Sequence, residues 1–184
     1  ISYMGIPLSN SEEAAVTFAE RQGWNDYILV PSISAQGVVE CLDRKEADYG
    51  VFAYANISAG AVMETQIALE NREDEFLTID EITVHIRHCV FVKHEGARID
   101  TLASHIQALL QCRDNLERLY PDAVAQDVDD TAYAAEMLSK GELPDTTAVV
   151  CRENAGTHYG LVLAHRDIQD RSDNKTFFKL IRAV

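Results

Sequence analysis

The sequence predicts an α/β fold, on three observations. Strand-like and helix-like segments alternate along most of the 184 residues. Between Phe76 and His94 the apolar residues recur with a period of two, which indicates one long strand. No repeat, low-complexity tract or Pro/Gly-rich linker interrupts the chain. These observations favour two α/β lobes between which the chain crosses inside regular structure.

The elements before the long strand follow from local signals. Ile1–Met4 reads as a short strand. Ser11 is expected to cap a helix that runs to Gly23, because Glu12 and Glu13 complement the positive helix end. The next segments continue the alternation. A strand is expected at 27–31, a helix at 33–43, a strand at 49–54 and a helix at 60–71.

Within the long strand, His88 shares one face with Val84, Ile86, Val90 and Val92. A buried, hydrogen-bonded histidine is the simpler interpretation, and a catalytic histidine is the alternative. The alternation then resumes. Strands are expected near 101 and at 123–127, 147–151, 161–166 and 176–181, and helices at 106–120, 131–140 and 153–159.

The expected domain organisation is one lobe over about 1–83 plus 176–184 and a second lobe over about 84–166. The crossings would lie near 83–89, where the period changes, and in the polar loop of 166–176. A cleft between two such lobes is a common place for a small-molecule site.

The composition excludes several classes of partner. The formal net charge is −14, from 30 acidic and 16 basic residues, which argues against nucleic acid and anionic membrane surfaces. No apolar run approaches the ~20 residues that a membrane helix needs. A small carboxylated metabolite remains compatible, because a local cluster of donors can override the global charge. A homodimer is left open.

The cysteines and histidines predict neither a metal nor a cofactor. The four cysteines are widely spaced and form no Cys-x-x-Cys pair, and the six histidines lack the spacing of metal ligands. Buried free thiols in a reducing cytoplasm are therefore expected.

Two segments have the residue types of a carboxylate-binding, proton-donating site. Ser104 and His105 end a strand where a helix begins, and a helix start offers backbone N–H groups to a carboxylate, with Ser104 and Gln107 as further donors. The alternative is that Ser104 only caps the helix. Thr176 begins the last strand, where its hydroxyl is a candidate proton donor or simply belongs to a β-branched strand residue.

Both segments resemble signatures of the prephenate dehydratase family. Ser104–Cys112 resembles Ser-His-Pro-Gln-Ala-Leu-x-Gln-Cys with Ile106 in place of proline, and Asn174–Phe178 resembles Asn-x-Thr-Arg-Phe. Weaker matches cover 5–15, 48–60, 81–90 and 130–135. The resemblance implies two α/β/α lobes with mixed sheets and an interlobe cleft, as in periplasmic binding proteins. It assigns Thr176 as the catalytic residue. It assigns substrate binding to Ser9, Asn56, Ser104, His105, Gln107, Thr131 and Lys175.

The implied function is a carbon–oxygen lyase of phenylalanine biosynthesis. It would convert prephenate to phenylpyruvate with loss of CO2 and water, with Thr176 assisting departure of the ring hydroxyl. Several positions depart from the family pattern: Leu8, Asn10, Ala55, Ile57 and Phe177. Two alternatives therefore stay open, a prephenate decarboxylase-like enzyme and a non-catalytic domain that binds a carboxylated metabolite.

Phe177 stands where the family carries an arginine. An arginine can hold a substrate carboxylate in a bidentate pair, and Lys175 or Lys179 would restore only part of that contact. We expect from this loss a weak dehydratase that gains at least about tenfold in the Phe177→Arg variant, the size of one charged hydrogen bond.

Overall fold

The computed structural model describes all 184 residues and divides them into two compact units. The first comprises 1–86 and 173–184, and the second comprises 87–172. The polar loop that follows Arg166, expected to belong to neither lobe, is divided between the two units. None of the helices is both long enough and apolar enough to cross a membrane.

The elements alternate along both units. Up to the first crossing they are β1 (Ser2–Tyr3), α1 (Asn10–Arg21), β2 (Val30–Pro31), α2 (Ala35–Asp43), β3 (Gly50–Asn56), β4 (Gly60–Ala61), α3 (Met63–Leu69) and β5 (Phe76–His85). In the second unit they are β6 (Cys89–Val92), β7 (Thr101–Ser104), α4 (Ile106–Gln111), α5 (Arg113–Leu119), β8 (Val124–Asp127), α6 (Thr131–Lys140), β9 (Thr147–Cys151), α7 (Glu153–His158) and β10 (Val162–His165). The last strand, β11 (Lys175–Ala183), returns to the first unit.

The first unit is a mixed sheet with helices on both faces. Its strand order is β2-β1-β3-β11-β5, with β4 paired to β3; β1 is parallel to its neighbours and β11 is antiparallel to both of its own. Val51 and Phe178 pack with Phe18 of α1 on one face, which we call the front. Phe52 packs with Val39 of α2 on the back face. The alternation of apolar residues along β3 therefore fills two cores at once.

A β-bulge interrupts that alternation near the end of β3. Phe178 of β11 lies opposite Ala53, but its neighbour Phe177 lies opposite Ala55, so Tyr54 is an extra residue in the pairing. The bulge places Tyr54 and Ala55 on the same, back face of the sheet.

The second unit is also a mixed sheet between two helical layers, with strand order β10-β6-β9-β7-β8. Val90 and Val150 pack with Leu109 of α4 on one face. On the other face α7 approaches closely: a Cβ on Gly156 would lie 2.4 Å from ring carbons of Phe91. Only glycine permits that approach without displacing the helix or the ring.

The single helix expected over 106–120 is broken at Cys112, whose φ of −119° is not helical. In a continuous helix the amide of Asn115 would donate to the carbonyl of Gln111. Instead Asn115 donates to the Asp170 carboxylate at 3.0 Å, and the amide of Asp170 donates to the Gln111 carbonyl at 2.8 Å. Asp170 thus enters the hydrogen-bond ladder and separates α4 from α5.

Two other expectations differ from the structure. The predicted long strand is two strands, β5 and β6, which belong to different units and are separated by 86–88. The helix expected over 60–71 is preceded by the short strand β4 and begins only at Met63. The period-two pattern did not reveal where one strand ended and the next began.

Candidate functional site

The side chains of Asn56 and Thr176 meet on the front face of the first unit. The two residues are directly opposed in the antiparallel pairing of β3 with β11, and the Asn56 amide nitrogen donates to the Thr176 hydroxyl oxygen at 2.8 Å. The bulge at Tyr54 is what brings them together, because uninterrupted alternation from Ala53 would send Asn56 to the back face.

The orientation of the Asn56 amide is fixed by the backbone. Its carbonyl oxygen accepts from the amides of Ser58 at 2.8 Å and Ala59 at 2.9 Å. Since two N–H donors identify that end of the side chain as oxygen, the NH2 group must face Thr176. The turn after β3 therefore holds Asn56 as a donor to Thr176.

Asn174 completes this cluster. Its side-chain oxygen accepts from the Asn56 amide at 3.1 Å and from the Ser58 hydroxyl at 3.3 Å, and the residue is only 2% exposed. We had not assigned a site role to Asn174 or Ser58. Asn174 could have been found, since it begins the terminal motif, whereas no pattern in the sequence singled out Ser58.

The cluster determines what the Thr176 hydroxyl can do. A hydroxyl has one proton to donate and two lone pairs that accept. Asn56 occupies a lone pair, and the proton of Thr176 is not used in any hydrogen bond within the protein. The half-buried Thr176 can therefore donate that proton to a bound molecule.

Ser9 has a structural role at the start of α1. Its hydroxyl accepts from the amide of Glu12 at 3.3 Å, while the Glu12 carboxylate accepts from the amide of Leu8 at 2.7 Å. The expected cap, Ser11, lies inside the helix, because the helix begins at Asn10. Substrate binding by Ser9 stays a prediction.

Phe177 does not face Thr176. Consecutive strand residues point to opposite faces, and the Phe177 ring lies on the back face, 6.2 Å from that of Tyr54. Lys175 and Lys179 share that back face. Position 177, where the family's arginine was expected to hold a substrate carboxylate, thus lies on the face opposite Thr176, and its role toward substrate stays a prediction. Lys175 also lies on the face opposite Thr176, and substrate binding by Lys175 stays a prediction.

Ser104, in the second unit, is fully buried at the end of β7. Its hydroxyl donates to the carbonyl of Val150 on the neighbouring strand β9. We expected Ser104 either to bind a carboxylate or to cap the helix. The structure shows neither, because the Ser104 proton is donated to the backbone of the sheet.

The start of α4 is occupied by the protein itself. The cap is His105, whose Nδ1 accepts from the amide of Gln107 at 3.3 Å. The carboxylate of Asp127 accepts from the amide of Ile106 at 2.8 Å. The backbone donors predicted to hold a ligand carboxylate are therefore bonded to Asp127 and His105 instead. Side-chain binding by His105 and Gln107 stays a prediction.

Thr131 is the first residue of α6 but does not cap it. The cap is Asp130, whose carboxylate accepts from the amides of Ala132 at 2.6 Å and Tyr133 at 3.2 Å. The alternative in which Thr131 contacts a ligand stays a prediction.

His88 is the buried histidine of the second unit. It is 4% exposed, and its Nε2 lies 3.0 Å from the side-chain oxygen of Gln111. Because that oxygen can only accept, Nε2 carries the proton of a neutral ring, while Nδ1 has no hydrogen-bond partner. Burial lowers the pKa of His88 below its ordinary value. The ring is buried as expected, but only one of its nitrogens is hydrogen-bonded.

Comparison with solved structures supports the fold. A prephenate dehydratase from Arthrobacter aurescens, solved with L-Phe, superposes with a TM-score of 0.86 at 24% identity, over 100% of this chain and 60% of that one. A periplasmic substrate-binding protein of an ABC transporter from Coxiella burnetii has a TM-score of 0.51 at 12% identity, over 98% of this chain and 82% of that one. The fold is thus α/β and similar to that of periplasmic binding proteins.

Comparison by sequence gives the family. The arogenate dehydratase/prephenate dehydratase 2 of Arabidopsis thaliana is 31% identical over 184 residues, which are 98% of this chain and 45% of that protein. The chain thus spans less than half the length of this curated relative. The family model for prephenate dehydratase matches residues 1–184. The chain therefore belongs to the prephenate dehydratase family.

Proposed function

We propose that the chain catalyses the decarboxylative dehydration of prephenate to phenylpyruvate. The observation that supports this most directly is the contact between the Asn56 amide and the Thr176 hydroxyl. It fixes Thr176 as an acceptor toward the protein and leaves its proton available for a substrate oxygen. A general acid in this position is what departure of a ring hydroxyl requires.

In the proposed step the Thr176 proton moves to the ring hydroxyl as its carbon–oxygen bond breaks, and that oxygen leaves as water. The bond to the ring carboxylate breaks at the same time, its electron pair enters the ring, and CO2 departs. The ring becomes aromatic and the side-chain keto acid is unchanged. Thr176 regains a proton from solvent, so the reaction consumes one proton overall.

Two related activities are distinguished by the same hydroxyl. A decarboxylase that retains the ring hydroxyl needs no proton donor to that oxygen, so the available Thr176 proton favours the dehydratase. Arogenate, named for the Arabidopsis relative, carries an amino group in place of the side-chain keto group. Because that group is remote from the ring hydroxyl, the Thr176 step would serve either substrate.

The test is product analysis with the purified chain. Prephenate should give phenylpyruvate, and arogenate, if accepted, should give phenylalanine. A decarboxylated product that keeps its ring hydroxyl would identify the chain as a decarboxylase instead. Absence of any product, together with a rise in melting temperature on adding prephenate, would favour the non-catalytic binding domain.

A further inference from the structure

The back face of the first unit contains a cavity of about 540 Å³. It lies between α3 and the sheet, and its walls include Tyr54, Met63, Ile67, Leu69 and Lys179. Lys179 is three residues along β11 from Thr176, but its side chain points to the opposite face of the sheet. The cavity is therefore separate from the cluster around Thr176.

Lys179 is an unpaired, partly buried cation in this cavity. Its ammonium lies 6.0 Å from the centre of the Tyr54 ring and makes no ion pair within the protein. Glu81 is the acid that acts on it electrostatically, but the Glu81 carboxylate accepts a hydrogen bond from the Tyr54 hydroxyl at 3.2 Å. Burial lowers the pKa of Lys179. The half-buried charge thus lacks the direct counter-ion that such a group requires.

Beside this cation two large apolar side chains face solvent. Met63 is 60% exposed and Ile67 is 67% exposed, and they stand one turn apart on the same side of α3. The buried residues of that helix, Thr65 and Ala68, lie elsewhere on its surface. The cavity thus combines an unsatisfied cation with apolar surface that the protein leaves uncovered.

Two acids also line the cavity, Glu70 and Glu73. Both are exposed, so water and salt screen their charges much more than the half-buried charge of Lys179. Lys179 is the one basic residue of the cavity wall, and Glu81 lies opposite it on β5. Phe177 extends the aromatic part of this surface, since its ring lies beside Tyr54.

We propose that this cavity binds a small monocarboxylate with an apolar body. Its carboxylate would pair with Lys179, and its apolar part would cover Met63 and Ile67. The volume is in the range of about 300–1,000 Å³ that is usual for small-molecule sites. The site would be independent of the proposed reaction at Thr176, and Phe177 would border it through its contact with Tyr54.

The test uses octanoate as the probe, with octanol and octylamine as probes of the same apolar length but different head groups. Titration calorimetry on the whole chain should detect octanoate and neither of the others at equal concentration. Lys179→Met should weaken octanoate binding by at least about tenfold, the size of one charged hydrogen bond. Lys45→Met is the matched control, because Lys45 is exposed and lies outside the cavity.

A second variant tests the apolar wall. Ile67→Ser changes an exposed residue, so the fold should be kept while octanoate binding weakens. Equal binding of octanoate by the natural chain and Lys179→Met, or equal binding of octylamine and octanoate, would overturn the proposal. So would a chain that binds no octanoate but self-associates in sedimentation through Ile67, since the occupant would then be a second copy.

Discussion

The two units carry the two best motif matches, but they use those residues differently. In the first unit Asn56, Asn174 and Thr176 bond to one another through their side chains, and one hydroxyl proton is left unused. In the second unit Ser104 and His105 bond mainly to backbone groups, inside a sheet and at a helix start. Similarity to a family motif thus does not by itself tell whether a side chain has a hydrogen-bonding group available to a ligand.

The comparison shows how a resemblance should be weighed. A motif residue whose hydrogen-bonding groups are all bonded to the backbone contributes to folding, because removing it would leave a buried partner without a hydrogen bond. A motif residue with an unused proton on a partly exposed surface can act on a ligand. We therefore place the chemistry on Thr176 and treat the Ser104 segment first as scaffold.

The largest effect is expected at Thr176. Thr176→Ala should lower the rate of phenylpyruvate formation by about 10²–10⁴-fold with little change in KM, because a proton donor acts in the transition state. Thr176→Ser keeps a hydroxyl and should retain most of the rate. Thr78→Ala, at an exposed position of β5, is the control for a threonine lost from a strand. Turnover of Thr176→Ala at the natural rate would remove Thr176 from the mechanism.

The next effect is expected at Asn56. Asn56→Asp replaces the donor by a carboxylate, and Thr176 would then donate its proton to that carboxylate instead of to the substrate. The rate should therefore fall by about 10–100-fold, which corresponds to one charged hydrogen bond. Below about pH 5 the introduced aspartate begins to protonate, since an aspartate has an ordinary pKa near 3.9, and part of the lost rate should return. Asn56→Ala should show no such recovery. If the two variants have the same pH profile, Asn56 does not set the direction of the Thr176 proton.

In the second unit the expected effect is on stability rather than on rate. The folded pKa of His88 is lowered by burial, so the unfolded chain binds the proton more readily. Stability should be full above the ordinary value of about 6.5 and should fall as the pH drops below it, by up to about 1.4 kcal/mol per pH unit. His88→Gln should flatten this dependence, measured by urea unfolding at pH 7 and pH 5. His158→Gln, at an exposed site, should not, and an unchanged slope in His88→Gln would contradict the assignment.

The smallest effect is expected at Phe177. Because position 177 faces the back of the sheet, Phe177→Arg should change kcat/KM for prephenate by less than about threefold, as is usual for substitutions away from a site. A gain of tenfold or more would contradict this expectation. It would support the carboxylate clamp suggested by the sequence and mean that position 177 faces the substrate when substrate is bound.

The sequence was sufficient for the elements whose signals are local. The fold class, the alternation of strands and helices, and most of the helices followed from periodicity and caps, as with α2 and α6. Thr176 and Asn56 also followed from the family resemblance. Their contact could not be inferred, because it depends on a bulge that becomes visible only when β3 is paired with β11.

Three of the misses share a physical cause, since each involves a group distant in sequence. Asp170 breaks the helix expected over 106–120 from more than fifty residues away, and Asp127 occupies the start of α4 from the next strand. The split of the long strand at 86–88 involves Asn174 and Gln169, which accept from the amides of Ile86 and His88. No window of neighbouring residues contains these partners.

The bulge at Tyr54 changes which residues of β3 face the front of the sheet. Before it, odd-numbered residues face the front; after it, even-numbered residues do, and the front-face position of Asn56 depends on that switch. Substitutions at Ala55 or Ile57 do not change which residues face the front. A chain can therefore depart from the family at these positions and keep its asparagine in place. A deletion of one residue between Ala53 and Asn56 would remove the bulge, and regular alternation from Ala53 would still turn the asparagine to the front face, opposite Thr176. An alignment of this family can therefore place a one-residue gap at the bulge without moving the asparagine away from the threonine of the last strand.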